Sequence, residues 1–467
     1  MTLVKRILNK NISDSFWYTF GEIINKISVF LLIPFYTTYF SREEYGILSL
    51  VIIFTTISNH IISYGSKTAL LRLIYDYSKD QNKKLIFTVI SNLFFILILV
   101  LVCLIVFHFI SYKNDLVFLN YFKYCYFICF HSFFFSLINI GLTLIRVDRK
   151  VKYFTAFNLL KTVTEIVLIF FFVKFLSDGV FGKIIGSLAS VMILSLVIYF
   201  VSINKNISFS YSRKMSKDYF YFATPLVINN LVGWALVSYD QFLFQHNFGL
   251  EQLAILALVS QICSIYKFSM EGVLRAFNVY LYEKMKVVKK GAKEIFVFFI
   301  SLFSICGFLL IIFKEQIILI ISTSDYIAAK PFIAYFVFSR FIMLINLLII
   351  FFLLIDKNSK EVTKATFISL ITMLLSSTYL IPNYGFVGAA IAATLTFLSR
   401  NIYLSLMLKK SMNFYSLNGL LGIISFVLIL LINILFEVNM PINLAILVFH
   451  VLLSAYLNKN ILKRIFL

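Results

Sequence analysis

Apolar runs of about twenty residues or more recur from one end of the chain to the other, and that pattern decides what it can fold into. A run of roughly 20 apolar residues crosses the hydrocarbon of a bilayer as a helix. Inside lipid no water meets the backbone polar groups, so each segment must satisfy its own. Fourteen such spans can be placed, at 16–40, 45–66, 85–111, 116–145, 153–176, 180–203, 219–245, 251–280, 295–320, 331–355, 365–381, 383–408, 417–436 and 441–457. Several exceed 25 residues, which implies tilt or extension past the bilayer. Hydrophobic residues make up 61% of the chain and charged residues 13%, against about 45–50% and about 25% in soluble domains. The expected fold class is therefore an all-α polytopic membrane protein with about 14 transmembrane helices. A soluble enzyme, a disordered tail and a secreted disulfide scaffold are excluded.

The formal charge of +21 would suggest nucleic acid in a soluble protein. In a membrane protein, cytoplasmic loops collect Lys and Arg. With the N-terminus cytoplasmic, the cytoplasmic segments hold 29 basic residues. The outer loops hold six, Arg42, Lys113, Lys174, Lys183, Lys314 and Lys330. One rule thus sets both the span count and the orientation, with N- and C-termini cytoplasmic, and no nucleic-acid partner is expected. The first apolar run lacks a small-x-small cleavage signal, so it reads as a membrane helix and not a removable signal peptide.

Cys103, Cys125, Cys129, Cys263 and Cys306 all fall inside apolar runs and read as small buried hydrophobes. No metal site is expected. No P-loop of the form GxxxxGK[ST] is present, since Gly182-Lys183 lacks both the upstream glycine and the following hydroxyl. The chain therefore carries no ATPase of its own, implies no cofactor, and has outer loops too short for a catalytic domain.

A shift of 206–208 residues brings out weak self-similarity. Tyr45-Gly46-Ile47-Leu48-Ser49-Leu50 falls on Leu253-Ala254-Ile255-Leu256-Ala257-Leu258, and Asp148-Arg149 falls on Asp356-Lys357. Gly179-Val180-Phe181-Gly182 falls near Gly385-Phe386-Val387-Gly388. The unit is six spans, so both copies enter the membrane the same way, as in a parallel repeat. The expected organisation is an N-terminal lobe at 1–217 (spans 1–6), a C-terminal lobe at 218–410 (spans 7–12), and two further spans at 411–467. Two like lobes with a central cavity and alternating access make a transporter architecture.

Several stretches also resemble a known family. They are Tyr45-Gly46, Phe222-Ala223-Thr224-Pro225-Leu226 with Trp234 and Tyr239-Asp240, and Asn383-Tyr384-Gly385-Phe386-Val387-Gly388-Ala389-Ala390-Ile391-Ala392. They are similar to the polysaccharide exporters, the Wzx-type O-antigen flippases of the MATE-like exporter superfamily. The resemblance covers nearly the whole chain. It implies movement of undecaprenyl-pyrophosphate-linked oligosaccharide across the bacterial inner membrane, in polysaccharide or lipopolysaccharide biosynthesis. It also implies membrane lipid as a partner, coupling to H+ or Na+, and a polysaccharide polymerase and chain-length regulator as candidate partners.

Charges inside the spans are functional candidates, because burying them in the bilayer is costly. Seven are basic: Lys26, Lys123, Lys161, Lys267, Arg275, Arg340 and Arg400. Four are acidic: Glu22, Glu165, Asp240 and Glu271, for a balance of +3. Glu22–Lys26, Lys161–Glu165 and Lys267–Glu271–Arg275 are spaced by four, so each set shares one helix face. Lys26, Lys161, Lys267, Arg275, Arg340 and Arg400 are the candidate cavity residues that hold the anionic cargo. Glu22, Glu165, Asp240 and Glu271 are candidate charge partners or ion-coupling groups. Lys123 can snorkel, Arg275 can belong to a helical extension past the bilayer, and Asp240 can be interfacial. His60, His108 and His131 read as packed or interfacial side chains. A multidrug or cation antiporter of the same superfamily is the alternative; the basic balance argues against it. A membrane polymerase or ligase would need a larger outer surface.

Overall fold

The computed structural model describes residues 30–113, 122–283, 292–355, 359–409, 417–436 and 440–459. These are helical throughout their ordered elements, with no strand among the described residues. Eleven helices there are long and apolar enough to cross a membrane. Two of them are doubled. Helix α8 (Arg213–Glu283) holds 71 residues and breaks at Gly249, where φ is 80° and ψ 179°. Helix α12 (Ser359–Lys409) breaks at Gly385, with φ 54° and ψ −126°. Unbroken, α8 would run about 107 Å, over three times the ~30 Å hydrocarbon thickness. Counting each doubled rod as two gives thirteen spans, and the helix Phe30–Tyr39 (α1) lies at the end of the expected first span. The all-α polytopic reading therefore holds, and most of the expected first span lies outside the described residues.

The chain divides into two compact units that meet between Trp234 and Ala235. The repeat sets its boundary at 217/218; packing sets one inside the seventh span. The first half of α8 is tied to the N-terminal unit, where Tyr219 donates to the Tyr64 carbonyl at 2.9 Å and Trp234 Nε1 to the Ile53 carbonyl at 3.1 Å.

The N-terminal unit continues with α2 (Arg42–Ser63), α3 (Ser66–Leu73), α4 (Lys79–Lys113), α5 (Phe122–Val147), α6 (Val151–Phe175) and α7 (Gly179–Ile198). Ser41 and Glu44 close a capping box on α2, each side chain accepting the other's backbone N–H, at 3.2 and 2.8 Å. Asp178 caps α7 by accepting from Phe181 N at 2.9 Å, and Tyr124 donates to its other oxygen at 3.0 Å. Leu70, Leu85, Val89, Ile138, Leu194 and Ile198 form the core where α3, α4, α5 and α7 meet. Helices α6 and α7 pack backbone to backbone. A Cβ at Gly182 would stand 2.7 Å from the Phe172 carbonyl oxygen, and one at Gly186 would stand 2.7 Å from Ile169 Cα. Small residues four apart permit this approach in a membrane helix pair. Gly388, which matches Gly182 in the repeat, likewise abuts the carbonyl of Leu380 in the preceding arm of α12.

After the break in α8, the C-terminal unit holds α9 (Ala292–Ile312), α10 (Lys314–Ile321), a 3-10 segment (Ser324–Phe332), α11 (Ile333–Ile355), α12, α13 (Leu417–Phe436) and α14 (Met440–Leu457). Phe341 and Phe426 join α11 to α13 with ring centroids 4.5 Å apart. Asn401 links α12 to α11, accepting from Asn346 and donating to the Ile342 carbonyl, both at 2.9 Å. Helix α14 is pinned to α9 by polar groups: His450 Nε2 lies 2.8 Å from Ser304 Oγ. Just beyond α14, Asn458 donates to Ser301 at 2.9 Å. In lipid such contacts choose a register that apolar packing alone leaves open.

Candidate functional site: charges inside the helices

In the C-terminal unit, four of the sequence-flagged charges come together. Asp240, on the first arm of α8, accepts from Ser377 of α12 at 2.5 Å. The adjacent pair Tyr239 and Thr378 share a hydrogen bond of 3.0 Å, which fixes the same two helices against each other. On the second arm of α8, Lys267 Nζ lies 3.7 Å from Glu271, as the spacing of four implies. Arg340 of α11 stands where the charges of Asp240 and Glu271 both reach it. Among the described side chains, two cations, Lys267 and Arg340, thus stand with two acids, Asp240 and Glu271. Arg340 is half-buried, and its Nε–H is buried with no hydrogen-bond acceptor among the described residues.

Arg400 lies apart from that set in its recorded contacts. It donates to Thr366 Oγ1 at 3.0 Å, and its Nε–H is also buried without an acceptor among the described residues. A guanidinium offers five N–H donors in a fixed fork. Donors left over in an apolar setting suit an oxyanion.

In the N-terminal unit, Lys161 and Glu165 share a face of α6, as the sequence implies, but make no ion pair within 4 Å among the described residues. Lys161 Nζ instead sits over the Phe135 ring of α5, 4.6 Å from its centroid. A ring face attracts a cation through its quadrupole. His131 stacks on the same ring at 6.0 Å.

Lys183 belongs to this group and was not among the sequence candidates. Counting loop charges places it outside the membrane, yet it is the fifth residue of α7 and half-buried. Its charge reaches Glu165 and His131. The signal was present: Lys183, Ser187 and Ser190 are spaced four and three, a single helical face beside the Gly182–Gly186 stripe. Glu22 and Lys26 lie outside the described residues, and so do the side chains of Arg275 and Lys123.

Outside the spans, Tyr77 donates to Asp218 at 2.5 Å. Burial, with help from that bond and the carboxylate charge, pushes its phenol up to about 12. In the C-terminal unit, Lys330 donates to Glu315 at 2.6 Å and holds its carboxyl below the usual range.

Over 396 residues the chain is 22% identical to protein 1 of the Lsg locus of Haemophilus influenzae, covering 81% of this chain and 95% of that one. The fold is similar to that of the lipid II flippase MurJ in an inward closed conformation. That likeness has a TM-score of 0.72 and 14% identity, covering 97% of this chain and all of that one. It is also similar to an inward-facing multidrug resistance MATE family transporter of the MOP superfamily, with a TM-score of 0.60 and 15% identity over 84% of this chain and 96% of the other. Residues 12–271 match the family described as polysaccharide biosynthesis protein, more than half of the sequence. The chain is a multi-pass membrane member of the polysaccharide biosynthesis protein family, with the fold shared by lipid flippases and MATE transporters.

Proposed function

We propose that this chain flips undecaprenyl-pyrophosphate-linked oligosaccharide from the cytoplasmic to the outer leaflet of the bacterial inner membrane, by alternating access and without covalent chemistry. The observation that carries the reading is the pair of guanidinium groups inside apolar helices. Arg340 and Arg400 each keep a buried Nε–H with no described acceptor. A cargo with an anionic pyrophosphate and a hydroxyl-rich glycan supplies the acceptors, while its apolar tail stays in the bilayer. The family match and the fold support the same reading. Asp240 and Glu271 are the groups proposed to carry H+ or Na+ coupling, since they offset Lys267 and Arg340 until the cargo competes for those cations.

The test is a strain lacking this gene, with and without the chain restored. Loss of surface glycan, build-up of lipid-linked oligosaccharide on the cytoplasmic leaflet and unchanged drug sensitivity are expected. Normal surface glycan with altered cationic-drug sensitivity would instead give the antiporter reading.

A further inference from the structure

Among the described residues of the N-terminal unit, the groups around Glu165 include several buried or half-buried donors without a partner. Among the described residues, Glu165 is the acid whose charge reaches Lys161 and Lys183, and no ion pair within 4 Å joins these three. The hydroxyls of Ser187 and Ser190 are buried, at 3% and 0% exposure, and neither finds a hydrogen-bond partner among the described residues. His131 Nδ1 is buried and unpartnered in the same way.

Helix register shows that these groups are neighbours. Gly182 meets Phe172 and Val173, while Gly186 meets Leu168 and Ile169, so α6 and α7 run antiparallel with residue numbers at one level summing to nearly the same value. Ser190 is then level with Glu165, and Lys183 stands about 10 Å nearer the Phe175 end. Lys161 is about 6 Å further from that end than Glu165. His131 is near both lysines: it stacks on the Phe135 ring that Lys161 covers, and the charges of both lysines reach it. Lys183, Ser187 and Ser190 share one face of α7.

Every unpartnered group here can donate a hydrogen bond: two ammonium groups, two hydroxyls and an imidazole. A structural role for the lysines would close an ion pair with Glu165. Instead Lys161 rests on an aromatic ring, and Lys183 feels the charge of Glu165 without closing an ion pair with it among the described residues. Two cations beside hydroxyls and an imidazole that can donate, with one carboxylate among the described residues, fit an oxyanion, and their extent along the helices fits one taken up in successive positions.

We propose that Lys161 and Lys183 are two rungs of a phosphoryl-binding ladder within the N-terminal unit, with Ser187, Ser190 and His131 as the hydrogen-bond donors beside them. The ligand is the pyrophosphate of the lipid-linked cargo, a step that rests on the flippase reading above. Lys161 holds the anion near the middle of the bilayer. Lys183 takes it up near the α6–α7 turn, and Glu165 returns the lysines to a balanced state once it has left.

The test uses the purified full chain with farnesyl pyrophosphate, inorganic pyrophosphate and farnesol as probes. Lys183→Met is expected to weaken farnesyl pyrophosphate binding at least tenfold, Lys183→Arg to restore most of it, and farnesol binding to stay unchanged. The paired Ser187→Ala and Ser190→Ala variant, small enough to keep the packing, should weaken it severalfold. Inorganic pyrophosphate should bind with the same ranking but more weakly if the cargo's tail contributes, and equally if the site takes free anion. Parental pyrophosphate binding by both the Lys183→Met and the double serine variants would overturn the ladder. Surface glycan separates the two claims. If the parental chain restores glycan and Lys183→Met restores it fully, the ladder fails and the flippase reading stands. If the parental chain restores none, the flippase reading fails, and the ladder as a cargo path fails with it.

Discussion

Replacing Gly182 by alanine tests the packing that sets the α6–α7 register. The added Cβ would come within 2.7 Å of the Phe172 oxygen and 2.9 Å of Val173 Cα. Both are backbone atoms, so no side-chain rotation relieves the contact; the helices must separate. Overpacking of this kind costs about 1–3 kcal/mol. Alanine returns about 0.5–1 kcal/mol by being a better helix former than glycine. The net expected loss lies between about 0 and 2.5 kcal/mol, centred near about 1 kcal/mol. Gly186→Ala should cost a similar amount, with contacts of 2.7 and 2.8 Å to Ile169 and Leu168. The double variant should lose less than the sum, because one separation relieves both contacts. Gly233→Ala is the control: no atom lies within 4 Å of its would-be Cβ. It should be neutral or stabilising by up to about 1 kcal/mol. Reversible unfolding in SDS-containing mixed micelles, followed by circular dichroism, would give the differences. If Gly182→Ala proves as stable as Gly233→Ala, the backbone-contact reasoning is wrong.

Arg340→Ala and Arg400→Ala should each abolish surface glycan export at normal protein level, and lysine at either site should restore part of it, since charge is kept while fork geometry is lost. Export at the parental rate by both alanine variants would end the proposed role of these cations. Tyr77→Phe should cost about 0.5–1.5 kcal/mol at neutral pH. The Tyr77 phenol rises from 10.0 to about 12 on folding, so the folded state holds its proton more tightly. Its contribution is complete below pH 10 and is lost as pH climbs through 12, so the gap between parental and Phe variants should close over that window in pH-dependent melts. For orientation, a cysteine at Ser208 should resist an impermeant maleimide in intact cells while one at Asn247 reacts; the reverse labelling would invert the topology.

The span count was legible because lipid imposes one rule on every segment. The two sharpest turns were legible too, since Gly249 and Gly385 stand at or beside the expected gaps 245–251 and 381–383. Charge spacing told which groups share a helix face, but not which partner each side chain takes. The spacing of four gave Lys267–Glu271 correctly at 3.7 Å. The same spacing puts Lys161 and Glu165 on one face of α6, but Lys161 sits over the Phe135 ring of α5 and closes no ion pair within 4 Å among the described residues. Asp240 and Ser377 are 137 residues apart, and no local pattern announces that contact. Lys183 was hidden by the loop-charge rule itself, which assigns a lysine near a span boundary to the loop.

The breaks at Gly249 and Gly385 bear on how this protein is made. Two apolar arms on either side of a single glycine reach the translocon almost together, separated at Gly249 by little more than His246, Asn247 and Glu251. No long soluble stretch exists there for the machinery to export by itself. Each doubled rod therefore enters the bilayer as one helical hairpin, and the orientation of its first arm dictates that of its second. The backbone values at these glycines are ones that other residues adopt only under strain. A mutation at either turn thus acts during biogenesis, as a chain that is mis-inserted and degraded, before any transport cycle begins.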